Sequence, residues 1–478
     1  MEVCLVVPRF HYPTMDLPLG VAYLAAAIRQ KYKTTVLDGT VTSFRDLVLE
    51  LENRKPDVVG ISTLTIDAES AAQISRFCKK KLGSCVVLGG PHPTILPGPT
   101  LKESLADFVV VGEGEKTFLE LLKRIESNEK AEDIEGIAFL NSGNFVQTSP
   151  REPTKDLDSL PFPARDLFSG RYFEKGCTQM MVSRGCPFDC AFCQPTLRAL
   201  FGTAHRVRSV KNVIEEIGFL HANLAIGEIQ FHDDTFTVKH AWLEEFCDKM
   251  LDLGLQIKWV ANCRADTVPV PNLLCKMKRA GCYTLLMGVE SGDDYIRNKI
   301  LNKRITDGTI VTAFDRMRKV AISAHAFFMV GSPGETRKSV SNTLRIAEKI
   351  RPDFYQVTIT TPLPKTHLFD QCVKEGIIQD TAWESYDYYK NPIIKLKAFN
   401  PNQVISLRRS FAALFKIDRF LRKYGIRIPR LLYEILFWAI FTISSREMMK
   451  KILDRVEKNF YDRWAESPIP LEKQSQIA

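Results

Sequence analysis

The sequence lacks any hydrophobic run long enough to span a bilayer. Its most apolar stretch, Leu431–Ile443, is far shorter than a membrane-spanning helix and is interrupted by Glu434. The first residues, Met1 to Pro8, enter a strand-like run without the basic segment and cleavage site of a secretory signal. We therefore expect the chain to work in the cytoplasm, where thiols stay reduced.

The twelve cysteines show no disulfide framework and no second C-x2-C pair, which a structural zinc site would need. Three of them stand together, Cys186, Cys190 and Cys193, with spacings of three and two residues. Three thiolates on one short loop can hold three irons of a 4Fe–4S cube and leave the fourth iron open. A zinc site and ordinary buried thiols are the alternative interpretations.

Acidic residues are scarce near the C-terminus, although the whole chain carries a formal charge of only +9. Residues 395–464 contain 16 Lys and Arg against 6 Asp and Glu, a balance of +10, so the remainder sums to −1. No nucleic-acid-binding module or basic–aromatic pattern occurs, and we expect no nucleic acid partner. The basic segment is typical of a surface that meets anionic lipid or an acidic substrate, or of a solvated helical face.

Two series of alternating strand and helix patterns precede a helical end. The first series predicts a Rossmann-like α/β domain over residues 1–147, ending in a hairpin at Gly136–Val146, and a proline-rich linker over 148–170. The second predicts a partial or complete (β/α) TIM-type barrel over 171–365, with function at the carboxyl ends of its strands. The cysteine loop follows the first of these strands, predicted at Met180–Ser183.

The remainder, residues 366–478, is predicted to be a helical C-terminal region. Its helices are expected at Gln403–Tyr424, Leu431–Ile443 and Arg446–Trp464. The apolar helix Leu431–Ile443 is either a core helix or a monotopic element that faces lipid between basic flanks.

With the cysteine triad in this position, the second series resembles the radical S-adenosylmethionine superfamily over roughly residues 177–361. The resemblance implies that Cys186, Cys190 and Cys193 are the ligands of a 4Fe–4S cluster. It also implies that S-adenosylmethionine binds the open iron and yields a 5′-deoxyadenosyl radical, and that Phe192 packs near the adenine. An electron donor such as flavodoxin or ferredoxin is implied as a partner.

The resemblance implies further contacts to S-adenosylmethionine. Asp233 and Asp234 replace the family's glycine-rich turn and suit an ammonium group, although they can also cap a helix. Arg264 can pair with the carboxylate through its planar fork. Glu290 can accept from the ribose hydroxyls or cap the following helix, and the Gly331 turn resembles the G-x-P-G-E-T loop near the adenine.

The first domain resembles the cobalamin-binding domain that is fused to one branch of this superfamily. Its matching loops follow the predicted parallel strands, where an open α/β sheet binds its ligand. The residues implied in cobalamin binding are Ser62, Thr63, Gly89, Gly90, His92, Thr94, Gly112 and Glu113. The D-x-H-x-x-G motif of other cobalamin proteins is missing, which leaves the lower axial ligand of cobalt open. His92 suits a loop or nucleotide-tail contact better than a cobalt ligand.

The resemblance implies an enzyme that modifies an unactivated carbon of a small molecule. Methyl transfer through methylcobalamin is favoured, and hydrogen abstraction agrees with the lack of an obvious acid–base dyad. An oxidative cyclase, such as the anaerobic magnesium-protoporphyrin monomethyl ester cyclase, has the same architecture. A non-catalytic cobalamin or redox sensor is the alternative from another class. The apolar helix with basic flanks favours a lipid-like substrate and a peripheral position at the membrane.

Overall fold

The computed structural model describes residues 1–9 and 16–444, which form two parallel sheets and a helical C-terminal region. The predicted helix Arg446–Trp464 lies outside these residues. In the part of the chain that the structure describes, no helix combines the length and apolar composition that crossing a membrane requires.

The N-terminal sheet has seven strands in the order β2-β1-β3-β4-β5-β6-β7. The first five are parallel, and β6 and β7 form the predicted antiparallel hairpin at one edge. The strands are β1 Glu2–Val7, β2 Lys33–Asp38, β3 Val58–Ser62, β4 Cys85–Gly89, β5 Phe108–Val110, β6 Ile137–Asn141 and β7 Asn144–Gln147. This order places a switch between β1 and β3, where an open sheet binds its ligand.

Helices cover both faces of this sheet. Alternate residues of the strands pack against α1 and α6 on one face, and against α2, α3 and α5 on the other. The helices are α1 Leu19–Ile28, α2 Phe44–Arg54, α3 Ala68–Phe77, α4 Pro91–Ile95, α5 Pro97–Ser104 and α6 Gly114–Ser127. The patterns did not predict β2 and α2, because β2 is a half-exposed edge strand and only Leu47 and Leu51 of α2 are buried.

The second sheet consists of six parallel strands in the order β15-β14-β13-β12-β11-β8, an open half-barrel. Its strands are β8 Cys177–Met180, β11 Glu228–Phe231, β12 Lys258–Cys263, β13 Cys282–Glu290, β14 Ser323–Val330 and β15 Phe354–Ile359. The first strand therefore ends at Met180, where the pattern predicted its start. Between β8 and β11, β9 Ser183–Arg184 and β10 Arg206–Val207 pair antiparallel beside the cysteine loop. The predicted partial barrel is confirmed.

Amphipathic helices cover the outer face of the half-barrel, and their buried residues share one core with the strands. The helices from the cysteine loop onward are α7 Thr196–Phe201, α8 Val210–Leu224, α9 His240–Asp252, α10 Pro271–Arg279, α11 Asp307–Lys319, α12 Arg337–Ile350 and α13 His367–Lys374. The barrel helices among them, α8 to α12, lie where the sequence predicted helices.

The C-terminal region packs on the open edge of the half-barrel. Its helices are α14 Pro401–Arg422 and α15 Arg430–Ser444. The ring of Tyr355 in β15 packs against that of Phe415 with centroids 4.4 Å apart, and Phe411 packs against Phe437 at 4.7 Å, each pair with tilted ring planes. One face of the apolar helix α15 is therefore part of the core, whereas Leu431 on its other face is 74% exposed.

Candidate functional site

The carboxyl ends of the two parallel sheets face each other, which places the loops that follow the strands in one interdomain cleft. Helix α4, after β4, lies against α7, after the cysteine loop. A side chain at Gly112, after β5, would come within 3.8 Å of the carbonyl oxygens of Ala199 and Leu200 in α7. The predicted loops of both domains thus come together.

Buried ion pairs hold the two domains in this arrangement. Arg184, just before the cysteine loop, donates to Glu115 at 2.5 Å, and Arg206 donates to Glu113 at 2.6 Å. The backbone N–H of Thr154 in the linker also donates to Glu113, at 2.8 Å. Burial alone would raise the pKa of Glu113, but Arg206 and Arg184 hold it below its usual value. The structure therefore gives Glu113 a role in docking the domains.

A second buried charge cluster joins the linker, helix α8 and the N-terminal domain. Glu216 is fully buried and accepts from Arg165 of the linker at 2.7 Å and from Arg208 at 2.5 Å. Arg208 also lies 3.5 Å from the hydroxyl of Tyr23 in α1. Breaking such a buried network by removing one partner is strongly destabilising. The network therefore holds the linker and α8 in place against the N-terminal domain.

Hydrogen bonds fix the cysteine loop to the segment that follows β13. The backbone N–H of Ala191 donates to the carbonyl of Leu301 at 2.9 Å, and Asn302 donates from its side chain to the carbonyl of Asp189 at 2.7 Å. Because these contacts join residues more than one hundred positions apart, no local pattern in the sequence predicts them.

The three thiols of this loop are free, and Cys190 is buried. Burial raises the pKa of Cys190, and the nearby charges of Lys303 and Arg264 oppose the rise. Burial also raises the pKa of Cys193 well above its usual value. Two thiols that are costly to ionise alone fit a metal group, which deprotonates its ligands.

The structure gives no support to a single-ion alternative. Within residues 1–9 and 16–444, no three Cys, His, Asp or Glu side chains are placed to hold one metal ion. A cubane needs its thiolates spread around it rather than converging on one centre. The donor set of the loop, three thiols, matches the ligands of three irons of such a cubane.

The two carboxylates after β11 have different surroundings. Asp233 is buried and accepts from the backbone N–H of Val182 at 3.1 Å and from Ser183. Desolvation raises its pKa to about 7. These bonds fix the chain that leads into the cysteine loop, so Asp233 has a structural role.

Asp234 instead is exposed to the cleft. Its protein surroundings raise its pKa to about 6 by desolvation, and its charge acts on the thiol of Cys193. Of the two predicted carboxylates, Asp234 is the one that can accept from a bound ammonium.

Arg264 is already engaged within the protein. Its guanidinium donates to both carboxylate oxygens of Asp266, at 3.0 and 3.1 Å, and to the carbonyl of Lys303 at 2.7 Å. Its remaining terminal nitrogen lies 3.2 Å from the sulfur of Cys190. The predicted pairing of Arg264 with a ligand carboxylate would have to compete with all of these bonds.

Glu290, at the end of β13, is paired with Lys303, a residue that the sequence analysis did not single out. The two side chains are buried, and Nζ of Lys303 donates to Oε1 of Glu290 at 2.7 Å. A side chain at Gly288 would overlap this pair, since its Cβ would lie 2.1 Å from Oε1. Lys303 has donors left for a ligand carboxylate beside the thiols.

Gly331 and Phe192 form the other side of the cleft. Gly331 has φ +83°, and its backbone N–H donates to the buried carboxylate of Glu335. A side chain there would come within 2.7 Å of Val404 in α14. Phe192 is half-buried and packs with Leu301 and Met329 in a small apolar cluster below the cysteine loop.

The N-terminal edge of the cleft carries buried polar atoms without protein partners. Among the described residues, these are the hydroxyl of Thr63 and both carboxylate oxygens of Asp67. Burial raises the pKa of Asp67 to about 7. Buried polar groups in native proteins are nearly always hydrogen-bonded, so these atoms are free to bond a polar ligand or a water molecule. Asp67 was not singled out in the sequence.

The predicted glycine and hydroxyl residues surround these atoms. Gly90 has φ +97°, and its Cβ would lie 3.0 Å from the backbone nitrogen of Thr63 and 3.3 Å from the hydroxyl of Ser62. The backbone N–H of Thr63 donates to the carbonyl of Gly89 at 2.9 Å. Thr94 accepts from the backbone N–H of Gly112 at 3.1 Å. The loops therefore meet as a narrow polar edge.

His92 is buried, and its Nδ1 lies 3.4 Å from the hydroxyl of Thr65. Burial lowers its pKa to about 4, so the ring is neutral. Its ring meets that of Trp383 edge-on at 4.8 Å, and Trp383 donates to Glu103 at 2.8 Å. The C-terminal region thus closes this edge of the cleft, a contact that the sequence did not reveal.

Comparison with known proteins agrees with both halves of the site. Residues 14–122 match the model of the B12 binding domain, and residues 180–347 match the model of the radical SAM superfamily. An uncharacterized methyltransferase of Pyrococcus horikoshii, PH0819, is 34% identical over 405 residues, which cover 83% of this chain and 87% of that protein.

Two further similarities are informative. The anaerobic magnesium-protoporphyrin IX monomethyl ester cyclase of Cereibacter sphaeroides is 28% identical over 85% of this chain and 68% of its own. The solved structure of OxsB, a cobalamin-dependent S-adenosylmethionine radical enzyme, superposes with a TM-score of 0.72 over 96% of this chain and 75% of its own. At 17% identity, the likeness to OxsB is one of fold.

We predict that anaerobically reconstituted protein holds about four irons per chain. Its visible absorption spectrum should show the sulfur-to-iron charge-transfer band of the cluster. Cys186→Ala, Cys190→Ala and Cys193→Ala should each lose most of this iron, measured by ferrozine assay, because one corner of the cluster loses its ligand. Cys275→Ala changes an exposed thiol outside the loop and is the control. Equal iron in Cys190→Ala and Cys275→Ala would contradict the assignment.

Proposed function

Because the chain belongs to the radical S-adenosylmethionine superfamily, in the branch with an N-terminal cobalamin-binding domain, we propose that it methylates an unactivated carbon of a small-molecule substrate. The observation that carries the proposal is the three-thiol loop, which faces the polar edge of the N-terminal domain across one cleft. The 34% identity to a protein named as a methyltransferase favours methyl transfer over the cyclase reaction.

When bound, the cluster and S-adenosylmethionine supply hydrogen abstraction, and cobalamin supplies the methyl group. The residues of this chain bind and orient these groups. We assign Cys186, Cys190 and Cys193 to the cluster and Asp234 to the amino group of S-adenosylmethionine. We assign Lys303 to its carboxylate in place of Arg264, since the guanidinium of Arg264 is occupied by Asp266, Lys303 and Cys190.

For the remaining contacts to S-adenosylmethionine, we retain the residues that the family resemblance implies. Glu290, the last residue of β13, is assigned to the ribose hydroxyls. Phe192 and the Gly331 turn are assigned to the adenine. Asp233 fixes the chain before the cysteine loop through its bonds to Val182 and Ser183, and does not contact the ligand.

For cobalamin, we assign the loops that surround the unpartnered atoms of Thr63 and Asp67. These residues offer hydroxyl and carboxylate groups to the amide side chains of a corrin, and the glycines allow close approach of the backbone. The proposed set is Ser62, Thr63, Asp67, Gly89, Gly90, His92, Thr94 and Gly112. Glu113 leaves the set, because Arg206 and Arg184 hold it in the domain interface.

We also propose two partners. A one-electron donor such as flavodoxin or ferredoxin supplies the electron, and an anionic membrane surface supplies a lipid-like substrate. The end of α14, the turn after it and the start of α15 present Phe420, Tyr424 and Leu431, which are 57%, 68% and 74% exposed. Lys423 and Arg430 are exposed among them. Apolar side chains with basic neighbours are typical of an element that lies on anionic lipid.

We expect methyl-deuterated S-adenosylmethionine, supplied anaerobically with a reductant and a cell extract, to deliver its deuterated methyl group to one product. Mass spectrometry of the extract identifies that product, and Cys190→Ala protein is the control that should give none. An oxidised or ring-closed product without the label would establish the cyclase reaction instead. Absence of both the product and 5′-deoxyadenosine would favour the sensor.

Asp234→Asn should weaken binding of S-adenosylmethionine to the cluster-loaded protein about 10- to 100-fold. A charged acceptor of an ammonium is worth about 1.5–3 kcal/mol. Equilibrium dialysis measures the change, and iron content shows that the cluster is retained. Asp252→Asn makes the same change at an exposed position on α9 and should bind as the wild type does. Equal affinities of the Asp234→Asn and wild-type proteins would refute the assignment.

The protein should co-sediment with vesicles that contain phosphatidylglycerol, and high salt should reduce this binding because it screens the basic residues. Replacing Phe420 and Leu431 by Ser should lower the bound fraction at least tenfold. Phe145→Ser removes an equally apolar side chain that is 44% exposed on the N-terminal hairpin, and it should have no effect. Wild-type protein that stays in the supernatant would exclude the lipid surface.

A further inference from the structure

Arg264 donates a hydrogen bond to a thiol of the cysteine loop. Its Nη1 lies 3.2 Å from the sulfur of Cys190, and the arginine side chain is 9% exposed. Its guanidinium carbon also lies 3.8 Å from the ring centroid of Phe188, within the same loop. Arg264 directly follows β12, so a strand of the half-barrel carries this charge to the cysteine loop.

The position of the guanidinium is fixed by its other contacts. Asp266 accepts from Nε and Nη2 of the guanidinium, and the carbonyl of Lys303 also accepts from Nη2, at 2.7 Å. Asp266 is 35% exposed, so it offsets only part of the positive charge that faces Cys190. These bonds fix the planar guanidinium, so that one N–H points at the sulfur. The contact with the sulfur therefore costs little further side-chain entropy.

Lys303, the other cation beside Cys190, is paired with a buried carboxylate. Its ammonium is paired with Glu290 at 2.7 Å, and both side chains are at least nine-tenths buried. Glu290 therefore offsets part of the charge of Lys303 at Cys190. Arg264 differs from Lys303 because it adds a direct hydrogen bond to a cluster ligand.

We propose that Arg264 sets the reduction potential of the cluster through its N–H contact with the sulfur of Cys190. This inference rests on the proposed function, because it requires the three thiols to hold the cluster. Reduction adds one electron, supplied by the low-potential donor, and so adds one negative charge to the cluster. A fixed cation with a hydrogen bond to a ligand sulfur stabilises the reduced state more than the oxidised state. Arg264 is a positioning and tuning residue, distinct from those that contact the substrate.

The test is a redox titration of the reconstituted protein with dithionite and mediators, followed by electron paramagnetic resonance of the reduced cluster. In Arg264→Gln, the ratio of reduced to oxidised cluster at a fixed potential should fall about tenfold or more, which is about 59 mV for one electron. Arg264→Lys keeps the charge but loses the fork, so its shift should be smaller.

Asp266→Asn provides a change of opposite sign at the same site. It removes the negative charge that offsets Arg264, and the reduced fraction should rise. Arg198→Gln is the matched control, because Arg198 lies on α7 just after the loop and pairs with Asp189 rather than with a thiol. Its potential should equal that of the wild type.

The outcomes separate this inference from the proposed function. If wild-type protein holds no cluster, the proposed function fails. If the cluster forms and the Arg264 and Asp266 variants share the wild-type potential, the inference is overturned and the proposed function stands. If Arg264→Gln loses iron, the opposite shifts of Arg264→Lys and Asp266→Asn support the inference, and equal potentials overturn it.

Discussion

The buried thiols of the cysteine loop depend on nearby positive charge, because burial alone disfavours the thiolate that a metal needs. Cys190 shows this balance most clearly, since desolvation raises its pKa while Lys303 and Arg264 oppose the rise. Both cations come from segments that follow barrel strands and are far from the loop in sequence. The half-barrel therefore does more than carry the cysteine loop: it brings cations to the thiols and fixes them with Asp266 and Glu290.

The same constraint explains the interface between the domains. Arg184 precedes the cysteine loop and Arg206 follows it. Both form ion pairs with the N-terminal domain, through Glu113 and Glu115. Because this pairing is buried, the two sheet edges meet in one arrangement. A reaction that uses groups bound on both edges needs such a fixed distance between them.

The sequence predicted what depends on local pattern. The alternating runs located both parallel sheets, the hairpin and the helices of the half-barrel, and the cysteine spacing indicated the candidate cluster loop. What the sequence did not predict depends on contacts between distant residues. Glu113 matched a glycine-rich loop, yet its partner Arg206 is ninety-three positions away. Asp233 and Asp234 are neighbours in sequence, and only the surrounding fold shows that one binds the backbone while the other faces the cleft.

The C-terminal region adds a third wall to the cleft, and its aromatic residues pack against the N-terminal domain. Trp383 packs edge-on against His92 and donates to Glu103, which ties this region to the N-terminal domain. Burial raises the pKa of Tyr388 to about 12, and the charges of Cys193 and Asp67 add to the rise. The backbone carbonyl of Tyr388 accepts from the N–H of Ile359 at 2.6 Å, so the residue lies at the carboxyl end of β15. Because its phenol stays un-ionised, it adds no negative charge near the thiol of Cys193, whose ionisation burial already opposes.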